Sequence, residues 1–489
     1  MRENTGAGDK PTSAVDHEQQ FEGFYAIKQR FLSDRNEGTA LAILNQLATL
    51  DNGEIDPDVW PDVKDLVLCL LDTITLQVLI SRHQLVLLNA LNRCSGRVVD
   101  LLAEYTLRHI QQVQTALSSS DISVTIAFVR RITHPQCAIS IANLLWRFAG
   151  LKAVQEELKS QLSTNDAEER FRIHQVTANV LREGGDPSKI TDLVEALVSE
   201  VVSQDIMCQL NGLELLADAA SQRASTANYL ISAGVADRVY KLLHDIKEQP
   251  DAGFTFPAVI KFFGHLSVGD VGCLRRYPTF MHLMFDLVYH FDLLDASQRL
   301  LAFDTLALLA SSDEAKIFLN TISEEDNMGK AMNAFGAAIC SGPLELRVRH
   351  LDALTMMIRP SNPPNKEVSE IVRCWFVELG EPFPSLVLSY ASKPFPEMQM
   401  ATLKLFDQLF HYEWAIKTFV VLPRFLEWAL NRNSETKSEE KQLKFDVVCR
   451  LIECGASQIV PEDLIKLKLY RREGAFYVDR PPQVDMQNE

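Results

Sequence analysis

The feature that most narrows what this chain can become is a recurring apolar triplet. Leu210, Leu213 and Leu216 stand at i, i+3 and i+6, and the spacing returns at Ile260-Phe263-Leu266, Phe303-Leu306-Leu309, Leu351-Leu354-Met357, Leu403-Phe406-Leu409 and Phe445-Val448-Leu451. The first members are 50, 43, 48, 52 and 42 residues apart. Steps of this length place side chains on one stripe of a helix, whereas a strand would need steps of two. Such a stripe must be covered by a neighbour. A period near ~40 to 47 residues is that of stacked helical units, each burying the apolar face of the next. Ile141-Leu144 with Phe148, and Val176 with Val180, suggest earlier and less regular units.

Local punctuation agrees. Gly184-Gly185 suits the left-handed end of a helix, Asp186 can cap the next one, and Pro187 suits its first turn. Ile190, Leu193, Val194, Leu197, Val198 and Val201 follow on one stripe. The most apolar stretch, Leu66 to Ile80, is interrupted by Asp72, Thr73, Thr75 and Gln77 and reads as a buried helix, too short to cross a bilayer. Two-residue alternation is rare, and only Ala475-Phe476-Tyr477-Val478 looks strand-like. Pro343 to Leu354 follows the HEAT second-helix pattern of Pro, Val-Arg, then Ala-Leu. The expected fold is therefore all-α, a HEAT/armadillo-like superhelical repeat solenoid. It should occupy residues 19–479, starting near Phe21-Phe24-Tyr25, between flexible polar tails at 1–18 and 480–489. Arg359 to Lys366 and Asn431 to Lys441 read as longer loops open to proteolysis.

Charge narrows the partners. The 489 residues carry 48 Lys plus Arg against 65 Asp plus Glu, a formal charge of -17, so the overall field repels phosphate backbones and anionic lipid. Nucleic acid and membrane are thereby disfavoured, and Arg275-Arg276 and Arg471-Arg472 read as helix ends. The opening Met1-Arg2-Glu3-Asn4-Thr5-Gly6 lacks the apolar core of a signal peptide, and nine scattered cysteines form no disulfide framework. A cytoplasmic protein, also able to reside in the nucleus, with reduced thiols is expected.

No catalytic, cofactor or metal residues emerge. There is no HExxH pair, and His134 with Cys137 lacks a second pair to complete a tetrahedral zinc site. Gly6-Ala7-Gly8-Asp9-Lys10 has no strand and helix around it to form a phosphate cradle, and no GxSxG elbow or kinase signature set occurs. The reading is a binding protein and not an enzyme.

Its binding face is suggested by a second pattern in the same helices. One residue after each later triplet begins stand Lys261, Asp304, Asp352, Lys404 and Asp446, all charged, and four further on stand His265, Leu308, Met356, Gln408 and Arg450. These positions lie together on a helix, away from the buried stripe. Lys261, His265, Asp304, Leu308, Asp352, Met356, Lys404 and Arg450 are the candidate partner-binding residues, the cations pairing with acidic partner groups and Leu308 and Met356 giving apolar contact. The competing reading is a ladder of charges that bridges neighbouring repeats.

Several segments together resemble a known family. Phe256 to Leu266, Arg276-Tyr277-Pro278, Pro343 to Leu354, Trp375-Phe376, Pro394-Phe395-Pro396-Glu397 running into Ala401-Thr402-Leu403-Lys404, Trp414-Ala415, Leu469-Tyr470 and Gly474 to Val478 are similar, in order and spacing, to the proteasome non-ATPase regulatory subunit five family. The resemblance covers roughly the C-terminal half. It implies a chaperone for assembly of the regulatory particle base that binds the C-terminal domain of an ATPase subunit within an early module and hinders premature docking to the core particle. The rival readings are a nuclear transport adaptor, and a generic HEAT-repeat scaffold for a phosphatase or a tether. The first uses Trp-x-x-x-Asn arrays, yet the residues four after Trp60, Trp146, Trp375, Trp414 and Trp428 are Lys64, Gly150, Leu379, Thr418 and Arg432.

Overall fold

The computed structural model describes residues 26–49, 59–119, 122–245, 255–322, 327–363 and 365–477, and among them every regular element is a helix. The expected 1–18 and 480–489 tails and the Phe21-Phe24-Tyr25 start lie outside the described residues. The chain divides into two compact units, 1–222 and 223–489.

In the first unit, helices α1 (Trp60–Thr73), α2 (Gly96–Arg108), α3 (Ala138–Leu145), α4 (Ala167–Glu183) and α5 (Ile206–Gln222) pack each against the next. Glu37–Leu47, Gln84–Arg93, Ser123–Arg130 and Lys152–Gln161 form a second row. In the second unit the corresponding row is α6 (Phe256–Leu266), α7 (Ala296–Leu309), α8 (Leu344–Ile358), α9 (Pro396–Leu409) and α10 (Ser438–Gly455). All five of these helices carry one of the phased triplets. Every triplet member from Ile260 on α6 to Leu409 on α9 is buried, as are Val448 and Leu451 on α10, with Phe445 half-buried. Each buried Leu or Phe contributes roughly 1.5–3 kcal/mol, so the repeat spacing read from sequence is the spacing of the core. The all-α, HEAT/armadillo-like repeat class is the observed one.

Aromatic residues fill the joints. Phe263 meets Phe262, Tyr277 and Phe280 at ring separations of 5.3, 4.9 and 5.1 Å. Phe303 on α7 lies 4.5 Å from Phe335 and 4.6 Å from the buried His350 of α8. Helix ends follow local chemistry. Asp166 accepts from the N–H groups of Glu168 and Glu169 to start α4, and Gly184, at φ 83°, stops it in a left-handed turn that a side chain would strain.

Four expectations change. The Leu66–Ile80 stretch is two helices, because Ile74 and Thr75 take extended backbone between Thr73 and Leu76 (φ -119°, ψ 116° and φ -64°, ψ 143°) and β-branched neighbours favour that break. Asp186 caps a 3-10 turn, Pro187–Lys189, and the α-helix proper begins at Thr191. Ala475 and Phe476 form a turn, since no partner strand is present among the described residues, and Val478 lies outside them. The Asn431–Lys441 loop is shorter and firmly held. The Glu440 carboxylate accepts from the N–H groups of Thr436 and Lys437 at 3.3 and 3.2 Å, which starts α10 at Ser438, and Lys444 anchors the preceding turn from below.

Candidate partner-binding face

The row α6–α10 carries the sequence-predicted residues on successive helices, and its charges are largely bonded to one another. Asp304 of α7 accepts from Arg349 of α8 at 3.1 Å. Asp352 of α8 stands 3.9 Å from Lys404 of α9. Arg450 of α10 donates to Asp407 of α9 at 2.9 Å. Each rung places its acid on the earlier helix and its cation on the later one. Burial pushes the Asp304 carboxyl above the usual range, with Arg349 opposing and Asp352 adding to the rise. Asp446 is exposed and accepts from Gln442 of its own helix at 3.0 Å.

On α6, Lys261 and His265 are half-buried, with Gly264 between them. A Cβ at Gly264 would meet Thr305 at 3.1 Å and Leu308 at 3.6 Å, so Leu308 packs over the missing side chain at the α6–α7 joint. Met356 is half-buried on α8. Asp304, Asp352, Lys404 and Arg450 thus bridge neighbouring repeats and fasten α7 to α8, α8 to α9 and α9 to α10. Sequence reasoning passed over Arg349 and Asp407, the partners of two rungs. Their signal was an acid and a base 45 and 43 residues apart on consecutive repeats, visible only once the axial offset between helices is known.

The first unit carries rungs of its own along the equivalent row. Tyr105 of α2 donates to the Leu71 carbonyl of α1 at 3.0 Å, Asn179 of α4 to Asn143 of α3 at 3.1 Å, and Arg182 of α4 to Asp218 of α5 at 3.3 Å.

A cleft of about 290 Å³ opens on the α6–α10 row at the Asp352–Lys404 rung. A larger one, about 720 Å³, lies between the Pro278–Tyr289 and Met328–Ser341 helices and shares no residue with the row. Its walls include His290, Asp292, Lys330 and Glu378. All nine cysteines are free thiols. Burial pushes Cys94, Cys137 and Cys273 up to about 12 and Cys208 up to about 11, the opposite of what a thiolate nucleophile requires. Among the described residues, no group of three or more His, Cys, Asp and Glu could hold a metal ion, and no helix is long and apolar enough to cross a membrane.

Residues 45–489 match the family model described as proteasome non-ATPase 26S subunit. The chain is 26% identical over 402 residues to the 26S proteasome non-ATPase regulatory subunit 5 of Homo sapiens, covering 78% of this chain and 75% of that protein. The protein of the same name from Drosophila melanogaster is 26% identical over 293 residues, covering 60% of this chain and 56% of its own length. Among solved structures, an engineered protein aligns with 91% of this chain and 98% of its own at 14% identity and a TM-score of 0.43, a likeness too loose to carry an argument.

Proposed function

This chain belongs to the family of proteasome non-ATPase 26S subunits, and on that premise we propose that it is an assembly chaperone for the base of the proteasome regulatory particle. In this reading it binds the C-terminal domain of one ATPase subunit along the α6–α10 face, delivers the early module that contains it, and hinders docking of that module to the core particle. It acts in the cytoplasm and the nucleus, needs no cofactor, and works by binding without catalysis. The observation that carries the reading is the family match, which runs through the whole of the row that forms the face. A stack of helices joined by charged rungs also suits a holding role, because it presents a long preformed surface and gives up little conformational entropy on binding.

The test is capture from cell extract with the purified, tagged chain, followed by quantification of each bound proteasome subunit. The expected result is strong enrichment of one base ATPase and its module with little core particle. Equal recovery of core-particle subunits would refute an agent that precedes docking, and recovery of import cargo or a phosphatase would turn the reading toward an adaptor.

A further inference from the structure

The cleft at the Asp352–Lys404 rung has a floor of Val348, Met400 and Ala401, contributed by α8 and α9. Apolar surface continues beyond it. Leu344 stands one turn before Val348 on α8 and is 45% exposed, and Phe395, immediately before α9, is 47% exposed.

The charges around this apolar strip are uneven. Lys404 is committed to Asp352. Glu397 and Glu439 on the cleft wall, and Glu345 next to Leu344, are exposed and enter no ion pair among the described residues, and besides Lys404 the wall carries one lysine, Lys437. The three glutamates also hold equivalent places. Each is the second residue of its helix, Glu345 on α8, Glu397 on α9 and Glu439 on α10. An acid in a first turn suits the helix dipole, which explains one such residue at a time. It does not explain a row of three beside an uncovered apolar strip.

We propose that this cleft docks a basic amphipathic helix of the partner, lying across α8, α9 and α10 with its apolar side on Val348, Met400, Leu344 and Phe395. This rests on the reading of α6–α10 as the partner face. Packed helices stand about 8–10 Å apart, so the three carboxylates repeat at about that interval. A helix rises about 10.5 Å over seven residues, so cations at i, i+7 and i+14 come into register with all three. An acidic segment would meet like charge at each of these positions.

The experiment is fluorescence anisotropy with the full chain and a synthetic peptide of about 18 residues carrying a leucine stripe and lysines at the first, eighth and fifteenth positions. A peptide of the same composition with its lysines moved to the opposite side of the helix is the comparison. The chain is assayed as wild type, as Glu345→Lys/Glu397→Lys/Glu439→Lys, and as Asp65→Lys/Glu381→Lys/Glu462→Lys, which changes net charge equally at exposed positions elsewhere. The in-register peptide should bind about tenfold tighter than the permuted one, lose about tenfold on reversal of the three glutamates, and be little affected by the control set. Equal binding of the two peptides, or equal loss in both variants, would overturn the cleft as the site. If circular dichroism shows that the reversed variant has not folded, Glu345→Gln/Glu397→Gln/Glu439→Gln replaces it, and unchanged binding then overturns the proposal. Capture of the ATPase subunit by wild-type chain is measured in parallel. Register-blind peptide binding with capture intact removes the cleft assignment alone, whereas absent capture removes the chaperone reading.

Discussion

Lys444 gives the sharpest test of how the second unit holds its shape. Its side chain is fully buried, and its ammonium donates to the Asn431 carbonyl at 2.5 Å, to Ser434 Oγ at 2.7 Å and to the equally buried Glu435 carboxylate, 3.0 Å away. Three donors thus meet three acceptors, with the Trp428 ring 5.0 Å beneath. Burial holds the Lys444 pKa below the usual lysine range, and Glu435 opposes that shift. Unit charges 3.0 Å apart attract by roughly 5–6 kcal/mol at an effective dielectric of about 20, and much of this offsets desolvation. Glu435→Gln removes the attraction and leaves the buried ammonium, so it should cost about 3–5 kcal/mol. Lys444→Met strands the carboxylate and should cost a similar amount. The double variant, which removes both charges, should cost far less than the sum. Urea denaturation at pH 7 followed by tryptophan fluorescence measures all three, and limited proteolysis of the 431–437 turn gives an independent readout. Single substitutions that each cost under about 1 kcal/mol and add linearly would mean that the pair is solvated, and the burial argument would be wrong.

The remaining predictions concern other parts of the fold. Burial, aided by Arg299 and Arg349, holds the His350 imidazole down to about 4, so the unfolded chain binds the proton more readily, and stability should fall as pH drops from about 6.5 toward 4, by about 3 kcal/mol in full. His350→Leu should flatten that part of the stability profile. Gly336→Ala would drive a Cβ into the Leu379 carbonyl oxygen and should destabilise by about 1–3 kcal/mol or more in thermal melts. Gly329→Ala in the same helix meets nothing nearer than 3.4 Å and should be neutral or stabilising by up to about 1 kcal/mol. A thiol reagent should label exposed Cys374 first in the native chain, while Cys94, Cys137 and Cys273 stay unlabelled until it unfolds, as peptide mapping would show.

The repeat class, the positions of the core helices and their buried stripes were legible in the sequence, because a helix declares its inward face through local periodicity. Leu351, Leu354 and Met357 had to lie together on any helix, and a stripe so apolar had to be covered. Local chemistry also marked the stop at Gly184. The sequence further selected the face on which Asp304, Asp352, Lys404 and Arg450 stand. It left open whether those charges face outward or grip the next helix, since that depends on the axial offset and crossing of neighbouring helices, and a period along the chain contains neither. Only the tertiary structure decided that Asp304 meets Arg349, that Arg450 meets Asp407, and that Glu345, Glu397 and Glu439 are left without ion partners among the described residues, beside an apolar strip. The same holds for Lys444, which lies three residues beyond the Asn431–Lys441 stretch that read as a loop. Its burial arises because the Asn431 carbonyl and the Ser434 and Glu435 side chains, 9 to 13 residues away, fold back to satisfy every donor it has.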